Sequence, residues 1–311
     1  MSLFTIIVAL VLEQLHALPL DSAVRRPIAR LGAFLEDKFN DGGRSHGALA
    51  WGLGAALPAS LLSLLYALLL YYQPFAAFLL GVATLYLTVG FRQFSHFFTG
   101  IHLALRQGEL DEARRLLAEW RGRSGDRLSA GDVARLTIEQ ALLDSHRHVF
   151  APLLWFAVLG PAGALFYRLA HGLDAQWGRR SEVEFGEFGQ FARQAFHFID
   201  WIPIRVTAAS FAVVGDFEGA AHCWRTQAVS WPEAGSGILL ASGAGALGVR
   251  LGMPVHDAVP ETGEVGDRPE LGLGEDADPD FMQSTIGLVW RSLVLALVVL
   301  ALIWVSGWVG V

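Results

Sequence analysis

With 311 residues, the chain is long enough for one large domain or two small ones. Hydrophobic residues make up 53% and charged residues only 17%, a low charged fraction for a soluble domain, and the net charge of −7 argues against a nucleic-acid-binding surface. The single cysteine, Cys223, excludes an intrachain disulfide and a cysteine-rich metal site.

The first 20 residues predict a membrane or interfacial helix. They lack a basic region and a small-residue cleavage site, and Glu13 and His16 interrupt the apolar run, so the segment is a poor signal peptide. Two interpretations stay open, a marginal membrane helix with Glu13 facing other helices and an amphipathic helix on the membrane domain. Residues 21–48 follow as a basic loop, which the positive-inside rule assigns to the cytoplasm.

Residues 49–91 predict a transmembrane hairpin, because residues 49–72 and 75–91 are apolar and Gln73-Pro74 marks a turn. Residues 92–148 form a polar stretch with nine arginines, which predicts a cytoplasmic helical region. Within it, residues 103–120 have helical apolar spacing, and residues 128–143 predict a second helix that begins at Ser129 or a neighbouring small residue.

Residues 149–224 contain a fourth apolar segment, residues 149–170, which Gly160, Pro161 and Gly163 interrupt. If this segment crosses fully, residues 173–178 lie on the opposite side from the arginine-rich region. A single site built from both regions would then be impossible, so either the segment is re-entrant or the motifs form two separate clusters. The interrupted apolar residues 202–214 and 235–252 are not counted as spans. Residues 225–283 predict a glycine-rich segment followed by an acidic loop, with nine carboxylates between residues 257 and 280.

The C-terminal segment, residues 284–311, gives the strongest membrane signal. From Ser292 to the end there is no charged residue, and 20 residues in a helix reach about 30 Å, the thickness of the hydrocarbon layer. Trp290, Trp304 and Trp308 lie towards its ends, as interfacial anchors do. We therefore predict an all-α, polytopic (multi-pass) integral membrane protein with four to five transmembrane helices and a cytoplasmic helical segment.

Three stretches carry a family resemblance. They are the opening MSLFTIIVALVLEQ, FAPLLWFAVLGPAGALFYRLAHGLDAQWG at residues 150–178 and FIDWIPIRVTAASFAVVGDFEGAAHCW at residues 198–224. Together they resemble the membrane superfamily that joins AmpE to the cobalamin-biosynthesis proteins CobD and CbiB. The CobD/CbiB branch implies an adenosylcobinamide-phosphate synthase, which joins an aminopropanol-type amine to a corrinoid carboxylate with ATP. The AmpE branch implies an inner-membrane protein linked to β-lactamase induction and cell-wall recycling.

The candidate ligand-binding residues come from these motifs. Asp200 and Arg205 are five apart in DWIPIR, where Pro203 predicts a shaped turn; they either bind an anionic group or pin a loop. Tyr167 and Arg168 end the fourth segment, where the arginine either meets a phosphate or snorkels to the interface.

Three more candidates are implied by the resemblance. Glu139 matches a glutamate expected in the synthases, and Asp174 keeps the aspartate of their Thr-Leu-Asp-Ser-Met-x-Gly motif. Arg147, followed by Phe150 and the Trp155-Phe156 pair, fits the AmpE branch.

The departures from the synthase pattern concern its acidic residues. In place of Glu-Asn-x-x-Asp-Gly before Ala-Pro-Leu, the chain has Leu143, Asp144, Arg147 and His148. An expected Asp pair is replaced by Phe196 and His197, and the following Asn by Asp200. Since an ATP-dependent ligase needs carboxylates to hold Mg²⁺ against the phosphates, we expect the synthase activity to be lost.

The leading hypothesis is therefore an AmpE-like accessory or regulatory protein, and the alternative is a divergent synthase. A transporter ranks third, because the chain shows no inverted repeat. We predict no cofactor, except ATP and Mg²⁺ under the synthase alternative, and no metal site, since the histidines lack ligand spacing. Expected partners are membrane lipid and a corrinoid or cell-wall-derived small molecule, without nucleic acid; a homo-oligomer stays open beside a monomer.

Overall fold

The computed structural model describes residues 2–16, 24–123, 125–178, 180, 185–254 and 268–309. Helices account for 83% of the structure, which confirms the all-α class. The helices are α1 (Ser2–Leu15), α2 (Arg26–Phe39), α3 (Arg44–Trp51), α4 (Leu57–Tyr72), α5 (Pro74–Thr88), α6 (Phe91–Gln107), α7 (Leu110–Arg121), α8 (Ala130–Ser145), α9 (Ala151–Leu159), α10 (Pro161–Leu173), α11 (Phe188–Val214), α12 (Phe217–Thr226), α13 (Ala234–Leu247) and α14 (Pro279–Val309). The strands are β1 (Val249–Gly252), β2 (Glu270–Leu271) and β3 (Glu275–Asp276).

Three helices are long and apolar enough to cross a membrane: Arg44–Tyr72, Phe188–Val214 and Pro279–Ser306. The first joins α3 to α4 through a π-helical turn, Gly52–Ala56. The third confirms the predicted C-terminal span, which begins several residues earlier than expected. The shorter apolar helices include α1, α5 and α13. The chain is thus an all-α polytopic membrane protein.

The second spanning helix corrects two expectations. Residues 202–214 were not predicted to belong to a span, and Pro203 was predicted to impose a turn; instead, α11 runs through Pro203 as one helix of 27 residues. Proline is tolerated inside a membrane helix because neighbouring groups can satisfy the backbone carbonyl that it leaves without a donor. The turn expected to pair Asp200 with Arg205 is therefore absent, and on a helix positions five apart lie on different faces.

Two predicted helices are shorter than expected. The second arm of the hairpin is α5, whose 15 residues extend about 22 Å, less than the hydrocarbon layer. The helix predicted over residues 103–120 is interrupted at Gly108, where φ is +78°. Glycine adopts this left-handed conformation without a steric penalty, so α6 ends there and α7 begins.

The chain divides into two compact units. Unit 1 comprises Met1–Gln93 and His148–Pro203, and unit 2 comprises Phe94–Arg147 and Ile204–Val311. In unit 1, α9 and α10 pack on each other, and the chain turns between them at Gly160, whose φ is +66° and ψ −154°. The predicted break in residues 149–170 is confirmed.

In unit 2, α12 and α13 approach each other closely through glycines. A Cβ added at Gly245 would lie 2.3 Å from the carbonyl oxygen of Gly219, so only hydrogen fits there. Helix α8 begins as predicted at Ser129, whose hydroxyl accepts a hydrogen bond from the backbone N–H of Asp132 at 3.1 Å in a capping box.

Unit 2 also contains a small sheet that the sequence did not predict. Strand β1 pairs antiparallel with β2, with Leu251 opposite Leu271, and parallel with β3, with Val249 opposite Glu275. The predicted acidic loop, residues 257–280, is therefore partly strand. The first part of that prediction lies outside the described residues.

The glycine contact between α12 and α13 gives a stability prediction. Gly245→Ala forces the two helices apart, and overpacking of this kind costs about 1–3 kcal/mol, so the melting temperature in detergent falls. Gly287→Ala is the matched control, because no atom lies within 4 Å of its added Cβ, and it leaves the melting temperature unchanged or slightly raised. Equal melting temperatures for both variants would contradict the close contact.

Candidate functional site

Unit 1 contains a cluster of polar and aromatic side chains that we call the α10 cluster. It consists of Tyr167, Arg168 and His171 on α10, His148, and Phe196 and Asp200 on α11. Residues three and four apart share one face of a helix, so Tyr167 and Arg168 lie on the same side as His171. Three predicted site residues, Tyr167, Arg168 and Asp200, are thus brought together.

The first polar contact joins Tyr167 to Asp200. The Tyr167 side chain is fully buried, and its hydroxyl donates to Oδ1 of Asp200 at 2.9 Å. A buried phenol requires such a partner, since an unsatisfied hydroxyl inside the protein is costly. The bond fixes the orientation of the Asp200 carboxylate, which is half-buried.

The second polar contact joins Arg168 to His148. The Nη1 atom of Arg168 donates to Nδ1 of His148. A guanidinium has only donors, so Nδ1 is the acceptor in this contact. Arg168 is only 7% exposed, so its positive charge is buried in the same cluster as the carboxylate of Asp200.

His171 occupies the middle of the aromatic part of the cluster. Its ring is parallel to that of Tyr167, with 6.4 Å between centroids, and perpendicular to that of His148 at 6.2 Å. The Phe196 ring lies 5.2 Å away. Sequence reasoning missed His171 as a site residue, although its spacing from Tyr167 and Arg168 on a predicted helix was the available signal.

Asp174 lies in the same unit, at the start of the π-helical turn Asp174–Gly178. A Cβ added at Gly178 would lie 2.2 Å from Oδ1 of Asp174, so the glycine leaves the space that the carboxylate occupies. Both motif residues therefore act together in shaping this turn.

The predicted residues Glu139, Arg147 and Arg205 belong to unit 2. The Glu139 carboxylate is buried and uses both oxygens: Oε1 accepts from the backbone N–H of Gly252 at 2.9 Å, and Oε2 accepts from Arg268. The Arg268 guanidinium in turn lies 5.4 Å from the Trp231 ring centroid. Glu139 therefore acts as a structural crosslink. Arg147 and Arg205 are half-buried.

Asp144, at a position where the synthases carry asparagine, is also a structural residue in unit 2. The indole N–H of Trp120 donates to its Oδ2 and the amide of Gln140 to its Oδ1, both at 3.0 Å. Trp120 stacks on Phe97 with 6.0 Å between centroids. Within the residues that the structure describes, there is no group of three or more His, Cys, Asp or Glu side chains placed to hold a metal ion.

The crosslink through Glu139 gives a second prediction. Glu139→Gln or Arg268→Met leaves one partner of a buried pair uncompensated and lowers the free energy of unfolding by about 3–5 kcal/mol. The double variant Glu139→Gln with Arg268→Met loses less than the sum of the two single losses, because no charge stays buried alone. Thermal unfolding in detergent measures the three variants, and strictly additive losses would show that the two side chains are not coupled.

Comparison with known proteins places the chain in a family. A family model described as CobD/Cbib protein matches residues 6–306. The chain is 37% identical over 313 residues, covering 99% of both chains, to the cobalamin biosynthesis protein CobD of Stutzerimonas stutzeri (strain A1501). It is 36% identical over 233 residues, covering 73% of both, to the protein of the same name from Chromobacterium violaceum. No solved structure matches. The chain therefore belongs to the CobD/CbiB family.

Proposed function

We propose that this protein acts in cobalamin biosynthesis, in a bacterial inner membrane, as an ATP-dependent synthase. It would join an aminopropanol-type amine to the carboxylate of adenosylcobyric acid. The observation that carries this proposal is the 37% identity, over 99% of both chains, to a relative named for cobalamin biosynthesis. The AmpE-like hypothesis, preferred from the sequence, gains no support from the names of the relatives.

The α10 cluster offers the groups that amide formation needs. A carboxylate oxygen must become a leaving group at the expense of ATP, and the attacking ammonium must lose a proton. Arg168 supplies a buried cation for a phosphate or carboxylate oxygen, and His148 supplies an imidazole beside it. Asp200, oriented by Tyr167, supplies a carboxylate to accept the proton of the amine.

The reaction also implies Mg²⁺, which would neutralise the charge of the ATP phosphates. The residues described do not form a metal cage of three or more ligands. Mg²⁺ bound with a nucleotide usually keeps several waters and takes only one or two carboxylates, so Asp174 of unit 1 would be the residue to hold it, while Asp200 stays the proton acceptor.

A second candidate is an AmpE-like protein without synthase activity. It is favoured by the contacts of two carboxylates in unit 2, because Asp144 is held by Trp120 and Gln140, and Glu139 by Gly252 and Arg268. The synthase pattern has polar residues at these two positions. In this chain the two carboxylates link parts of the fold to each other.

One assay separates the two candidates. The detergent-purified full chain is incubated with Mg²⁺-ATP, adenosylcobyric acid and an aminopropanol-type amine, and the amide product is measured by mass spectrometry. A synthase binds ATP and adenosylcobyric acid saturably and forms the amide with stoichiometric ATP cleavage. A folded, monodisperse sample that forms no amide contradicts the synthase and favours the second candidate.

Substitutions in the α10 cluster test its role. Asp200→Asn keeps the shape but removes the proton acceptor, and we expect kcat/KM to fall by about 10²–10⁴-fold. Tyr167→Phe removes only the orienting hydrogen bond, worth about 1 kcal/mol, and we expect a decrease of roughly fivefold. Glu112→Gln, at the surface of unit 2, is the control and keeps full activity. Full activity of Asp200→Asn would remove the α10 cluster from the reaction.

A further inference from the structure

Helix α2 has two distinct faces. The inward face packs on the core of unit 1 and consists of Ile28, Leu31, Gly32 and Leu35. The outward face exposes Arg26, Arg30 and Phe34, which lie one turn apart along the helix. The Phe34 side chain is 58% exposed. A phenylalanine that follows two arginines on an exposed helix face is typical of helices that lie in a membrane interface.

The depth of α2 follows from its contact with the first spanning helix. Leu35 lies directly against Gly54, where an added Cβ would be 2.8 Å from Leu35 Cδ1. Gly54 lies five residues after Leu49, where the apolar stretch begins, so it is about 7 Å further along the helix axis. The head-group region on each side of a bilayer is about 5–7 Å thick. Because the start of the apolar stretch marks the edge of the hydrocarbon layer, Phe34, next to Leu35, is level with the outer carbons of the acyl chains, just below the head groups.

The chain connection agrees with this depth. Helix α2 ends at Phe39, and the spanning helix begins at Arg44. Only residues 40–43 separate the two helices, so α2 cannot leave the membrane surface while Leu35 stays packed against Gly54.

The charges on α2 leave its outward face positive. Glu36 forms an ion pair with Arg180 at 2.6 Å, and Asp37 is paired with the neighbouring Lys38 at 3.3 Å. In the part of the chain that the structure describes, no ion pair involves Arg26 or Arg30. Guanidinium groups on long side chains, one and two helical turns from Phe34, can reach the head groups and attract anionic lipid, and a guanidinium can hold a phosphate through two parallel hydrogen bonds.

We propose that α2 lies in the bilayer interface, where Arg26 and Arg30 bind the phosphates of anionic phospholipids and Phe34 enters the upper acyl region. This role does not depend on the synthase activity. It attaches unit 1 to the membrane surface at a second place beside its spanning helices.

The depth of Phe34 is tested with spin labels on the full chain. The single cysteine is replaced by Cys223→Ala, and one nitroxide is placed at Phe34→Cys, Leu61→Cys or Arg115→Cys in phospholipid nanodiscs. Leu61, on the first spanning helix, is the lipid reference, and Arg115, on the polar helix α7, is the water reference. We expect position 34 to collide with oxygen more, and with a water-soluble nickel chelate less, than position 115. Collision rates equal to those of position 115 would overturn the proposal.

The lipid preference is tested by native mass spectrometry of the protein with phosphatidylglycerol and phosphatidylcholine. We expect the parent chain to prefer the anionic lipid, and the preference to fall roughly fivefold for each of Arg26→Gln and Arg30→Gln. Arg115→Gln, which removes an exposed arginine paired with Glu112, is the control and keeps the preference. An unchanged preference in the double variant overturns the proposal. Inorganic phosphate that competes as well as the lipid also overturns it, because it would indicate a site for a soluble anion.

Discussion

The arrangement of unit 1 depends on how a membrane protein buries an arginine. Arg168 is almost fully buried, and a buried charge is costly unless it is paired and hydrogen-bonded. The break at Gly160 divides the apolar segment into α9 and α10, and Tyr167 and His171 of α10 contact Asp200 and Phe196 of α11. His148, Tyr167 and Asp200 then supply the hydrogen bonds and the opposite charge within the same cluster.

The same arrangement brings together the groups on which the proposed reaction relies. The α10 cluster combines a cation, a carboxylate and an imidazole, which are the groups that bind oxyanions and transfer protons. In unit 2, by contrast, the carboxylates of Glu139 and Asp144 are hydrogen-bonded to other parts of the fold. Glu139 ties α8 to β1 and to Arg268, and Asp144 holds the indole of Trp120. A substitution at Glu139 or Asp144 is therefore expected to act first on stability, whereas the proposed function predicts that one in the α10 cluster acts first on ligand binding.

We propose that the membrane contacts this protein at two depths. The spanning helices satisfy their backbone internally and expose leucine, valine and isoleucine to lipid, as α14 does at Val294, Leu302 and Ile303. At the surface, the loop predicted between the first two apolar segments is largely a helix, α2, packed by its apolar face on unit 1. The basic composition of this region predicts only the side of the membrane on which it lies. The proposal gives its outward-facing arginines a further role, the binding of lipid phosphates.

The sequence by itself determined the elements whose signals are local. The uncharged C-terminal run, the Ser129 cap and the break at Gly160-Pro161 depend on hydrophobicity, on one side-chain hydrogen bond and on the conformational freedom of glycine, so they could be predicted. Tertiary structure decided the rest. Pro203 was predicted to turn the chain, but packing allows a continuous α11; β1 forms because β2 and β3 lie beside it. His171 belongs to the α10 cluster because α11 brings Phe196 against it. Glu139 is a structural residue because Arg268, 129 positions away in the chain, binds its carboxylate. Contacts between residues so far apart leave no local pattern, because they arise only when distant helices pack.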